Sequence, residues 1–205
     1  MSISTDFAHE AVSALDRFLP DPDVRERHSI SIQAPARLVF EIARSYDMRS
    51  LGPIAAILRL RAWVLGSSRP DAPGPRRGLV DETRRLGWGD LADSGDRYHC
   101  AGAVCQPWLP DVTFRGVPRE EFADYREPGV VKIAWTLEAL PLGPARTRFS
   151  TETRAAATDE WARHKFLRYW RFVRPGVALI RVFLLRAIRR SAQRAHRSSR
   201  QRNPL

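Results

Sequence analysis

Cysteine is nearly absent. Cys100 and Cys105 are the only two in 205 residues, too few for a disulfide framework and suited to a reducing compartment. Lysine is equally scarce, with Lys132 and Lys165 alone among 34 basic residues. Long apolar runs are missing: Ile54–Leu65 and Val177–Ile188 reach 12 residues each and each contains Arg, whereas a membrane span needs about 20. Met1–Asp6 is polar rather than basic-then-apolar, which argues against a secretory leader and for a cytoplasmic protein. No Gly-x-Gly-x-x-Gly or Gly-x-x-x-x-Gly-Lys-Ser/Thr loop occurs, so no nucleotide cofactor is expected. No His-x-x-x-His or Cys-x-x-Cys pair occurs, so no zinc is expected. The absence of Gly-x-Ser-x-Gly weakens a hydrolase reading.

What is present is an ordinary globular composition with displaced charge. Hydrophobic residues make up 43% and charged residues 28%, enough for a real core. The net charge is +11, and from Trp161 onward there are 13 basic residues and no acidic one. The excess is therefore C-terminal. Arginine suits bidentate contacts to phosphate and carboxylate, so an anionic membrane surface is one partner this region would fit, with nucleic acid less favoured. Such a run also serves as a plain solvated helix face.

Periodicity gives the order of elements. Phe7, Ala11, Ala14, Leu15 and Phe18 recur at helical spacing, and Pro20-Asp-Pro22 ends that helix. His28, Ile30 and Ile32 alternate as a strand, and Ala34-Pro35 opens a helix ending near Ser45. A second helix is expected over Ile54–Leu65, then an exposed loop over Gly66–Gly78. Weak strands are expected at Leu79–Thr83 and Arg84–Leu91, a better one at Arg97–Val104, and a single helical turn at Glu120–Tyr125. The clearest strand is Val130–Ala139, with Val131, Ile133, Trp135 and Leu137 on one face. Leu142-Gly-Pro144 turns the chain into Arg146–Ala157. There Arg146, Arg148, Ser150, Glu152 and Arg154 form a face expected to be wet, and Thr147, Phe149, Thr151 and Thr153 face the other way.

The last element is a long helix capped by Thr158 or Asp159. Phe166, Trp170, Val173, Val177, Ile180, Leu184 and Ile188 form one apolar stripe. Arg163, Arg171, Arg174, Arg181 and Arg189 are assigned to a separate basic face. Pro175-Gly176 leaves the phase intact, which predicts a kink rather than two helices. Residues beyond Ala195 read as a fraying tail.

This order predicts an α+β helix-grip fold, a curved antiparallel sheet wrapped around a long, Pro-kinked C-terminal helix. The chain resembles the SRPBCC superfamily (START-like, Bet v 1-like, polyketide cyclase/dehydrase-like), especially a small bacterial subgroup. The matching stretches are Asp16-Arg-Phe-Leu-Pro20, Arg25-Glu-Arg-His28 through Ala34-Pro35-Ala36-Arg-Leu-Val39, Thr151-Glu-Thr-Arg154 with Thr158-Asp159, and Phe166-Leu-Arg-Tyr-Trp170-Arg-Phe-Val-Arg-Pro175 with Leu179-Ile-Arg181. The resemblance implies a domain over residues 25–196, with a helical extension over 1–24 and a basic tail over 197–205. It further implies a pocket between sheet and helix for an apolar or amphipathic small molecule, lipid-like or polyketide-like.

On that reading Val131, Ile133, Trp135, Leu137, Phe149, Phe166, Trp170 and Val173 supply the wall, and Tyr98, Thr151 and Thr153 orient the ligand. The Tyr98/Cys100 face, continuing through Gly102 and Val104, is the more apolar one and is taken as the inside. Two rival readings stay open. A cyclase/dehydratase-type enzyme would move protons with Tyr98, His99 or Glu152, and peripheral association would use the Arg-rich helix. Each wall residue could equally fill a solid core, and Glu152 could be a cross-strand ion pair with Arg148 or Arg154.

Overall fold

The computed structural model describes residues 14–52, 66 and 77–202. Five strands, β1 (Val24–Ile32), β2 (Gly89–Asp93), β3 (Tyr98–Cys105), β4 (Val131–Gly143) and β5 (Arg146–Ala157), form one antiparallel sheet in the order β1-β5-β4-β3-β2. The helices are α1 (Ala36–Arg44), α2 (Leu79–Arg85), α3 (Arg119–Phe122) and α4 (Glu160–Arg202), with short 3-10 turns at Ala14–Arg17 and Met48–Ser50. This is the α+β helix-grip arrangement. The expected helix over Ile54–Leu65 lies outside the described residues, as do most of the Gly66–Gly78 loop, the first 13 residues and the last three.

The β4–β5 hairpin is the centre of the sheet, and its alternation sorts the two faces. Odd-numbered residues from Val131 to Ala139 and from Thr147 to Ala157 face α4. Even-numbered ones face the other way, toward Leu15, Phe18, Leu19, Leu91 and Phe122. The outer face is not wet as expected. The N-terminal segment and α3 cover it, and Ser150, Glu152 and Arg154 are buried there, while Arg146 and Arg148 stay exposed.

Leu79–Arg85 forms a helix, not the expected strand. Leu79, Val80 and Thr83 sit at helical spacing, Asp81 and Glu82 occupy the first turn, and Arg84 and Arg85 occupy the last, each sign favourable to the helix dipole. Gly87, at φ +96°, ends it where a Cβ would meet the Phe114 carbonyl oxygen at 2.4 Å.

Asp159 starts α4. Its Oδ1 accepts the Ala162 N–H at 2.7 Å, and these backbone bonds hold the carboxyl below its usual pKa. The helix continues as one element through Pro175 and on to Arg202, past the point where fraying was expected. At 43 residues it is about 64 Å long, well beyond the roughly 43 Å of β4.

Candidate functional site between the sheet and the long helix

The core between sheet and helix is divided. At one end Ile32, Leu137, Ala139 and Phe149 pack against Leu184, Leu185 and Ile188 of α4 and against α1. At the other end Val24, Val131 and Ala155 pack against Phe166. Between these clusters α4, β1, β4 and β5 loosen, while His99, Ala101 and Ala103 of β3 stay buried. On α4, Trp170, Val173, Val177 and Ile180 are half-buried although they share a stripe with the buried Phe166, Leu184 and Ile188. On the sheet, Glu26, His28, Ile30, Ile133, Trp135 and Thr153 are half-buried between fully buried neighbours on their own strands. Strand register aligns part of this level, because Glu26, Thr153 and Trp135 lie in one row across β1, β5 and β4. This loosely packed level, the gap, is a level of partial solvent exposure bordered by aliphatic and aromatic side chains and by Glu26, His28 and Thr153.

Arg181 of α4 enters this gap. It sits four residues after Val177 and three before Leu184, in phase with the apolar stripe and not on the basic face expected for it. Its Nη2 donates to Thr153 Oγ1, and Nη1 lies 3.5 Å from Thr151 Oγ1. Its Nε–H is buried with no partner, and no carboxylate among the described residues comes within ion-pairing distance. Burial depresses the guanidinium pKa, with Glu26 opposing only in part. Glu26 is itself engaged by Arg174, Nε to Oε1 at 2.7 Å.

His28, opposite Thr151 across β1 and β5, has a buried Nδ1 without a partner. Its pKa is lowered by burial and next by the Arg181 charge, against a smaller pull from Glu26. The imidazole is therefore neutral at pH 7.

Of the residues expected to form a site, Ile133, Trp135, Trp170 and Val173 border the gap. Thr151 and Thr153 hold Arg181, while Val131, Leu137, Phe149 and Phe166 lie in the packed clusters at its two ends. Tyr98 lies on the outer face. Tyr98 pairs with Glu138, and the next residue, His99, with Leu137, so strand alternation turns His99 inward and Tyr98, Cys100, Gly102 and Val104 outward. Their apolar character reflects a second core with Leu91 and Phe122. Gly102 is required there, since a Cβ would meet Leu91 Cδ1 at 2.6 Å and Phe122 Cε2 at 2.8 Å.

The three proton-moving candidates are likewise kept apart. Tyr98 and Glu152 are on the outer face, and burial raises the Tyr98 phenol pKa. Burial also pushes the neighbouring Cys100 thiol up to about 12. Glu152 accepts from Arg25 Nε at 2.9 Å and from Arg154 Nε at 2.7 Å. His99 faces α4 but is fully buried, with Nδ1 3.3 Å from Asp93 Oδ2 and its ring edge-on to Trp135. Burial lowers its pKa despite the pull of Asp90 and Asp93. Among the described residues no group of His, Cys, Asp and Glu could hold a metal ion.

A second feature lies on the solvent side of α4. Trp161, Lys165, Arg168 and Phe172 recur at three- and four-residue steps and Leu179 follows seven residues on, with Trp161, Phe172 and Leu179 each at least half exposed. Two surface grooves of about 580 and 590 Å³ run along this ridge, bordered by Trp108, Lys165, Arg168 and Phe172 among others. No helix among the described residues is long and apolar enough to cross a membrane.

No family model matches the chain, and no curated protein matches it in sequence. Among solved structures the chain is similar to a conserved protein from Geobacillus kaustophilus, at 10% identity and a TM-score of 0.39, covering 84% of this chain and 97% of that one. It is also similar to the ZhuI aromatase/cyclase from Streptomyces sp. R1128, at 13% identity and a TM-score of 0.30, covering 83% and 94%. A third is norcoclaurine synthase from Thalictrum flavum, at 12% identity and a TM-score of 0.30, covering 90% and 95%.

Proposed function

We propose that this is an SRPBCC-type helix-grip protein that binds an apolar or amphipathic small molecule between its sheet and its C-terminal helix. The observation that carries the reading is the gap between two closed core clusters, where aromatic and aliphatic side chains from α4, β1 and β4 remain half-buried at one level. A chain with only packing to achieve would close that level, because each large apolar side chain brought to full burial contributes about 1.5–3 kcal/mol. An occupant supplies the missing burial. Both cysteines are buried and outside any disulfide, which suits a cytoplasmic setting.

Native mass spectrometry of protein purified from its own host, followed by denaturing extraction, tests this. A recurrent bound small molecule is expected, and Trp135→Ala should release it. An empty protein that also shows no thermal shift across lipids and aromatic polyketides would leave the gap without an occupant and end the reading.

A second reading rests on the exposed ridge of α4. Aromatic side chains interleaved with basic ones, on a helix with no acidic residue after Glu160, fit an anionic bilayer surface by both area and charge. Vesicles containing phosphatidylserine should bind the protein, with loss at high salt and weakening by Phe172→Ser. Equal binding to pure phosphatidylcholine vesicles, or none to either, would remove it.

A further inference from the structure

We propose that the occupant of the gap is an apolar monocarboxylic acid whose carboxylate is held by Arg181. This rests on the reading of the gap as a ligand site and adds the chemistry of its polar end.

A guanidinium carries five N–H donors and no acceptor, and it stays charged in proteins. Burying it without an acid is costly, and native structures offset that cost with carboxylates or dense hydrogen bonding. The same sheet shows such an offset on its other face, where Arg154 reaches Glu152, Asp16 and the Leu19 carbonyl. Arg181 has two threonine hydroxyls and a buried Nε–H facing nothing. Thr151 and Thr153 fix the guanidinium in place without neutralising it. An Nε–H beside an Nη–H is the edge that binds a carboxylate in bidentate fashion.

The surrounding charges select a monoanion. Glu26 and Arg174 cancel as a pair, and the neutral His28 adds no charge, so one positive charge remains in the gap. A phosphate dianion would place its second charge near Glu26 with no counter-ion. A neutral molecule would leave Arg181 unpaired. His28 Nδ1 is a second unpartnered polar atom close to Arg181, and as an N–H tautomer it can donate to a remaining lone pair on one of the acid's oxygens. Beyond this polar end the walls are Ile133, Trp135, Trp170 and Ile180, which suit an apolar body.

Titration calorimetry with matched probes below their micelle concentrations tests both layers. The probes are octanoate, dodecanoate and hexadecanoate, the corresponding alcohols, dodecyl phosphate, and the 2-naphthoate and 2-naphthol pair. At least one acid should bind about tenfold or more tightly than its alcohol, and Arg181→Gln should bring the two together. Equal affinity of acid and alcohol would overturn the carboxylate anchor while leaving the gap as a ligand site. Tighter binding of dodecyl phosphate than dodecanoate would overturn the choice of a monocarboxylate. No binding by any probe would overturn both layers.

A measurement on the unaltered protein covers the case in which the variant fails to fold. The Nε–H resonance of Arg181 in a ¹H–¹⁵N spectrum should shift on adding the best acid and not on adding its alcohol. An unmoved resonance at saturation would place the acid elsewhere and end the proposal.

Discussion

Two arginines, one buried and one half-buried, lie against opposite faces of the same strand, and they are treated in opposite ways. Arg154 lies on the outer face with Glu152 at 2.7 Å, Asp16 at 2.6 Å and the Leu19 carbonyl at 2.8 Å. Burial works against its charge, but these partners outweigh burial and its pKa is raised. Arg181 lies on the inner face with hydroxyls only, and its pKa is lowered. The first arginine docks the N-terminal segment onto the sheet. The second is held by the Thr151 and Thr153 hydroxyls. A buried cation with carboxylates is architecture, and on the proposed reading a half-buried cation without them is the anchor for a ligand.

The largest test of this contrast is the removal of each arginine in turn. Arg154→Met strips Glu152 of one of its close cationic partners and frees the N-terminal segment. A loss of about 3–5 kcal/mol is expected in urea unfolding. Arg181→Met replaces a half-buried charge that has no carboxylate partner among the described residues with an apolar side chain of similar length, so stability should be unchanged or higher. Comparable losses in both variants would erase the distinction.

Next come the aromatic residues on the inner face. Phe149 is fully buried in an end cluster, and Phe149→Ala should cost about 3–5 kcal/mol. Trp135, although larger, borders the gap, and Trp135→Ala should cost clearly less in ligand-free protein. If the tryptophan proves the costlier of the two, the gap is packed.

Gly102→Ala probes the outer core, where the added methyl would press on Leu91 and Phe122. Overpacking should cost about 1–3 kcal/mol, with binding to the inner face unaffected.

The smallest effect is a pH dependence. His28 and His99 both have lowered pKa values, so the folded protein binds fewer protons than the unfolded chain just below pH 6.5. Their contribution is fully present above about pH 6.5 and is lost as pH falls through the folded values. The thermal midpoint should therefore drop between pH 7 and pH 5, and His28→Gln should flatten part of that slope.

Much of the fold was legible. The alternation in Val131–Leu137 and Thr147–Thr153 assigns faces correctly because a strand has a strict period of two. The spacing from Phe166 to Ile188 likewise picks out the face of α4 that meets the sheet. Leu79–Thr83 reads as a strand because a five-residue mixed run satisfies either period, whereas the helix-dipole charges and Gly87 make it the start of a helix. Glu152 and Arg154 were expected in solvent because a strand's alternation cannot reveal that a distant segment, Leu15–Leu19, will cover it.

The candidate site was legible only in part. Sorting residues by charge put Arg181 with the other arginines, although its phase, four after Val177 and three before Leu184, already placed it among the apolar ones. His28 carried no local signal, since its role depends on the pairing of β1 with β5, more than 100 residues away. Tyr98 was assigned to the inner face because its strand is apolar on both sides, and only the pairing with β4 shows which side meets α4.

That distant pairing also has a consequence for how the protein is made. The N-terminal strand β1 pairs with β5 alone, so it waits, during vectorial synthesis, for residue 157 to emerge. The helix that closes the inner face follows later still. Contacts of such long sequence separation form slowly, and until α4 docks, Ile133, Trp135 and Phe149 are uncovered. Ribosome-bound chains that stop before α4 should therefore recruit chaperones. On the proposed reading, the same interval would give an apolar ligand its widest entrance, before the final helix closes over it.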